Sequence, residues 1–118
     1  MKDKPILQKS ALFAARIVKM CKYLGEIKKE FVISKQVIRS GTSIGANLSE
    51  AYCASSRKDF IAKFHIAFKE CEETLYWLNL EFISEKQFES IYSDCKELVK
   101  LISSTIRTSK NNPPVPGC

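Results

Sequence analysis

The sequence predicts an all-α fold, an up-down-up-down antiparallel four-helix bundle, on three observations. Four stretches repeat apolar residues at the 3.6-residue helical period. Short links separate them, which favours antiparallel neighbours. No run carries the two-residue alternation of a half-buried strand. At 118 residues the chain can build one core without disulfide staples. Its 45% apolar and 27% charged content is that of an ordinary globular domain. No apolar run nears the roughly 20 residues of a membrane span.

The first helix is expected over about Ile6 to Leu24. There Ile6, Ser10, Phe13, Ala14, Ile17, Cys21 and Leu24 share one side, and Lys9, Arg16, Lys19 and Lys22 the other. Pro5 suits a first turn, and Gly25 suits the stop. The link Glu26-Ile27-Lys28-Lys29 is short enough to reverse the chain.

The second helix is expected from Glu30–Ser34 to Cys53, around the stretch Arg39 to Glu50. That stretch has the look of a glycine-rich phosphate loop. It lacks the following Lys-Ser/Thr and a leading strand, so a nucleotide site is not predicted. At helical spacing Val37, Gly41, Ile44, Leu48 and Ala51 form one face, and Arg39, Ser43, Asn47 and Glu50 a polar stripe. Two internal glycines cost about 1 kcal/mol each relative to alanine. Close approach of another helix to this small-residue surface would offset that cost. The polar stripe is open to two readings, a wet helix face or a network whose every group finds a partner.

The third helix is expected over Arg57 to Phe82, with Ser55 or Ser56 as N-cap and Asp59 in the first turn. Its apolar arc contains Phe60, Ile61, Phe64, Ala67, Phe68, Cys71, Leu75, Leu78 and Phe82. Ser84 with Gln87 three residues on has the form of a capping box for the fourth helix. The inner face there is Phe88, Ile91, Tyr92, Cys95, Leu98, Val99, Ile102 and Ile106. Residues 1–110 are expected to form the bundle, and the proline-rich residues 111–118 a flexible tail.

Chemistry-bearing residues are sparse. The single histidine, His65, has neither the Glu-x-x-His context of a di-iron bundle nor a partner at zinc-ligand spacing. Glu70, Glu72 and Glu73 suit a charged face, solvated or between subunits, better than acid–base work. No nucleophile–base set can be assembled, so neither an enzyme nor a metal or other cofactor is expected. Cys21, Cys71 and Cys95 lie on apolar faces and read as reduced core thiols, since the count of five is odd and no C-x-x-C occurs. The basic start of the chain lacks a secretory pattern, which makes the cytoplasm the expected location.

The net charge of +6 is unevenly spread. Residues 1–63 carry 13 Lys/Arg and 5 Asp/Glu, net +8, and residues 64–118 carry 6 and 8, net −2. A basic half suits an acidic partner. Lys9, Arg16, Lys19 and Lys22, with Lys28, Lys29 and Lys35 nearby, are the candidate phosphate contacts, sequence-tolerant and salt-sensitive. Ala62, Ile66, Trp77 and Leu80 lie away from the expected core and are candidates for self-association.

The segment Phe31 to Ala51, with Arg39-Ser40-Gly41-Thr42-Ser43-Ile44-Gly45-Ala46-Asn47-Leu48-Ser49-Glu50 at its centre, resembles the four-helix-bundle proteins related to the 23S rRNA intervening-sequence proteins. A second block, Ser56 to Leu80 with Asp59-Phe60, Ala67, Lys69-Glu70, Glu73-Thr74 and Tyr76-Trp77-Leu78, resembles them too. Leu48-Ser49-Glu50-Ala51 stands where many relatives carry Ile-x-Glu-Gly or Ile-x-Glu-Ala, a mild departure. The resemblance covers about residues 6–109. It implies a small cytoplasmic bacterial bundle that assembles as a ring, typically a homopentamer. A relative, the accessory variability determinant of diversity-generating retroelements, works with a reverse transcriptase and binds nucleic acid through a basic surface.

The resulting expectation is a non-enzymatic homo-oligomeric scaffold that binds RNA or DNA, without a membrane partner. The alternative is an adaptor to a protein such as a reverse transcriptase or other polymerase. Arg39, Gly41, Ser43, Gly45, Asn47, Glu50, Ile66, Trp77 and Leu80 are expected to serve an oligomer interface or a structural motif.

Overall fold

The structure is a computed structural model that describes residues 4–80 and 82–111. Four helices, α1 (Pro5–Glu26), α2 (Val32–Ala51), α3 (Arg57–Leu78) and α4 (Glu89–Asn111), form a bundle 46 Å long and about 22 Å across. Neighbours in sequence pack against each other, and α4 closes back on α1 through the loosest of the four seams. This is the expected up-down-up-down arrangement, with α1 and α3 at opposite corners. The described residues contain no strand. Residues 112–118, which hold most of the expected tail, lie outside the described residues.

The small residues of α2 set the α1–α2 distance. A Cβ on Gly41 would sit 3.2 Å from both Cγ1 and Cγ2 of Ile17, and one on Gly45 would sit 3.1 Å from Ser10 Oγ. Helix propensity is therefore given up for backbone approach. The second helix face falls where the periodicity put it, with Val37, Gly41, Ile44, Leu48 and Ala51 all buried.

The ends of the elements depart from expectation in three places. Gly25 does not stop α1, which continues to Glu26. The left-handed position belongs to Lys29, at φ 57°, and the reversal is closed by Glu30 N–H donating to Leu24 O at 2.9 Å. Gly25 instead leaves room for Phe31, whose Cε1 would lie 3.2 Å from a Cβ there.

Helix α3 ends at Leu78, before Phe82. Asn79 N–H and Leu80 N–H bond back to Leu75 O and Trp77 O, and the chain leaves the helix. Phe82 and Ile83 keep apolar contact by folding over the end of the core, so the periodicity outlasts the helix.

The Ser84–Gln87 capping box does not form. Ser84 N–H donates to the Glu85 carboxylate, and a 3₁₀ turn over Lys86–Phe88 precedes α4. By contrast Ser56 does cap α3, its Oγ accepting from Asp59 N–H at 3.1 Å.

Candidate nucleic-acid interface

The basic stripe predicted on α1 splits into two sets. On the α4 side, Lys9 Nζ lies 2.6 Å from Glu97 Oε1, and Arg16 pairs with Asp94 while donating to Ser90 Oγ at 2.6 Å. Lys28 reaches Glu85 at 2.9 Å. The hydrogen bond and charge of Glu85 hold the Lys28 ammonium more basic than usual, and Lys28 in turn holds the Glu85 carboxyl below its usual range. Lys9, Arg16 and Lys28 each pair with a carboxylate across the bundle and remain partly exposed.

The other set keeps its charge available. Among the described residues, Lys19, Lys22, Lys29 and Lys35 have no carboxylate within ion-pair distance. Lys22 and Lys35 stand on the two walls of a groove of about 500 Å³ between α1 and α2. Val18, Phe31 and Ile38 supply its apolar lining, and Cys21 and Ser34 its floor. Lys19 precedes Lys22 by one turn of α1, and Lys29 sits in the reversal at the groove's end.

Two nearby groups are tied up. Cys21 Sγ bonds Ser34 O at 3.3 Å, and burial, with Glu30 second, pushes its thiol up to about 11. The Glu30 carboxylate would be raised by burial, yet the N–H groups of Ile33, Ser34 and Val32 that it accepts hold it below its ordinary value.

This groove was not legible from helix periodicity, because Phe31 lies in a link and Val18 on the basic side of α1. The signal was the apolar run Phe31-Val32-Ile33 directly after a charged turn. Phe31 and Val32 are both exposed there, which marks a surface that something covers.

The polar stripe of α2 meets α3. Arg39 bridges Glu70, at 3.4 Å, and Glu73, while Glu50 takes Lys63 at 3.0 Å. That bond and charge keep Lys63 more basic than usual. Trp77 Nε1–H donates to Glu73 at 2.9 Å. Ser43 and Asn47 bond back along their own helix, to Ser40 O and Ser43 O. Of the acidic cluster Glu70, Glu72 and Glu73, two, Glu70 and Glu73, therefore share one side of α3 and are neutralised within the chain, and Glu72 remains exposed.

Lys63, Ile66, Glu70, Glu73 and Trp77 recur at spacings of three and four, so they form one face of α3. The antiparallel register places Ile66 across from Asn47. The expected interface residues on α2 and α3 are thus brought together, save Gly41 and Gly45, which α1 occupies. Ile66 is 42% exposed and Leu80 45%, whereas Trp77 is half-buried. Tyr76, packed edge-on against Trp77, is exposed and was not anticipated.

No group of three His, Cys, Asp or Glu side chains among the described residues is arranged to hold a metal ion. No helix is long and apolar enough to cross a membrane. His65 is exposed at the rim of a shallow cleft with Phe68 and Ser103.

Residues 2–104 match the family described as 23S rRNA-intervening sequence protein. The chain is also similar to the crystal structure of a protein of unknown function from the S23 ribosomal protein family of Bacteroides thetaiotaomicron. The two are 53% identical, the match covers 87% of this chain and 99% of the other, and the TM-score is 0.83. No curated protein matches the chain.

Proposed function

The chain belongs to the 23S rRNA-intervening sequence protein family, and from that premise we propose that it is a non-enzymatic, homo-oligomeric scaffold that binds RNA or DNA through a basic surface. The supporting observation is the segregation of charge. Of the seven bases on α1, the α1–α2 reversal and the first turn of α2, three are spent on internal ion pairs, and Lys19, Lys22, Lys29 and Lys35 are left, with Lys22 and Lys35 facing each other across the α1–α2 groove. Each phosphate contact is weak by itself. Copied around an oligomer, contacts of this kind add through effective concentration.

The oligomer we propose is the pentameric ring that the family resemblance implies. Exposed apolar groups at opposite corners support it, Leu12 on α1 at 63% and Ile66 with Leu80 on the α3 side. Two different patches on opposite faces join head to tail, which is the geometry that closes rings.

Binding of mixed-sequence RNA and DNA across a salt series tests the phosphate role. Affinity is expected to fall steeply with salt, with a log–log slope that Lys22→Glu together with Lys35→Glu makes shallower by about 2. Lys9→Glu, which reverses a charge already paired with Glu97, is expected to change affinity less. Absence of binding at low salt would end the nucleic-acid role and leave an adaptor for an acidic protein surface as the reading.

A further inference from the structure

We infer that the α1–α2 groove takes single-stranded nucleic acid, with a base stacked on Phe31 and flanking phosphates on Lys22 and Lys35. This rests on the proposed nucleic-acid role and names the form of nucleic acid the site accepts.

Three observations converge there. Phe31 is 61% exposed although it is a large apolar ring, and it has no aromatic partner among the described residues. The ring edge rests over Gly25, where a Cβ would stand 3.2 Å away. A ring held on one side and open on the other is a stacking platform.

The walls match a polyanion. Lys22 and Lys35 border the same groove on opposite helices, and the exposed Lys29 lies two residues before Phe31 in the reversal. Of the acidic residues at this end, Glu30 is committed to the N–H groups of α2. Glu26 is exposed one turn beyond Lys22 and forms no ion pair among the described residues.

The groove's lining is apolar between the lysines, through Val18 and Ile38. A duplex keeps its bases inside the stack and could use only the lysines. An unpaired strand can lay a base on the ring and its backbone on both walls at once, without regard to base identity.

The full-length protein is titrated with a labelled single-stranded 12-mer of mixed sequence, as RNA and as DNA, and with the matching duplexes at one salt concentration. Single strands are expected to bind more tightly than duplexes. Phe31→Leu keeps an apolar side chain over Gly25 but removes the π-face, and is expected to weaken single-strand binding roughly 5- to 100-fold while leaving duplex binding unchanged. Phe31→Trp is expected to retain it.

Equal single-strand affinity in wild type and Phe31→Leu would overturn the stacking inference. So would a preference for duplex. In either case, sensitivity to Lys22→Glu would leave the wider nucleic-acid role standing. Loss of oligomer mass in Phe31→Leu would assign the groove to a second copy of the chain and likewise overturn it. Absence of binding to every probe would remove both readings together.

Discussion

Ser40 and Thr74 are the polar pair on which the α2–α3 core turns. Both are fully buried, their hydroxyl oxygens are 2.8 Å apart, and Thr74 also donates to Glu70 O at 2.8 Å. Thr74 donates to Ser40 Oγ, and Ser40 in turn donates to Val37 O at 3.5 Å. Thr74→Val keeps the shape and leaves the buried Ser40 Oγ with only its long bond to Val37 O, at an expected cost of about 1–3 kcal/mol. Adding Ser40→Ala should recover much of that loss, because removing both partners together is nearly neutral when shape is kept. Urea denaturation of both single variants and the double variant measures the coupling, and simple additivity would mean that the pair contributes no joint term. Neither residue stands out in the sequence, since hydroxyls at an otherwise apolar seam interrupt the periodicity that marks a core.

At the scale of the element, α2 shows what pattern reading reaches and what it misses. Most of its buried face was legible, because Val37, Gly41, Ile44, Leu48 and Ala51 recur at the helical period and all are buried, whereas the buried Ser34 and Ser40 were not. Its start was not. Glu30 lies outside the helix, and its carboxylate receives the N–H groups of Val32, Ile33 and Ser34 at 3.1, 3.0 and 2.8 Å. Ser, Thr, Asp and Asn are the familiar caps, and a glutamate reaching forward from the reversal leaves no such mark.

Glu30→Gln is expected to cost on the order of 1 kcal/mol at neutral pH, by loss of charge at a helix N-terminus. The sign of the acid dependence follows from the depressed carboxyl. Its stabilising contribution is present above the ordinary glutamate pKa and is lost as pH falls through the lowered folded value. Thermal melts at pH 7 and pH 3 should therefore show a smaller difference for Glu30→Gln than for wild type. The same reasoning explains the failed Ser84 cap. There Glu85 accepts the Ser84 N–H, and the 3₁₀ turn that follows delays α4 to Glu89.

For the whole molecule, the fold and family were open to sequence reading because both depend on long, repeated patterns. The segregation of the lysines was not, because ion pairing across a bundle depends on which helix lies beside which. Lys9 and Arg16 share a stripe with Lys19 and Lys22 on a flat reading, yet the first two lie beside α4 and the last two do not. The proposed ring is tested at this scale. Light scattering is expected to give a mass near five times the 13.4 kDa chain. Leu12→Asp and Ile66→Asp, both at exposed positions, are expected to lower that mass without loss of helical signal. A single-chain mass at high concentration would reject the ring.

The α1–α4 seam has a consequence for how a growing polypeptide closes. Its side-chain bonds join residues 74 to 88 positions apart, whereas those between α2 and α3 span 13 to 34. Three rods can assemble while synthesis is still under way, with Phe13 and Cys71 uncovered along an open flank. The final rod acts as a latch, fastening α1 only once α4 itself has been made.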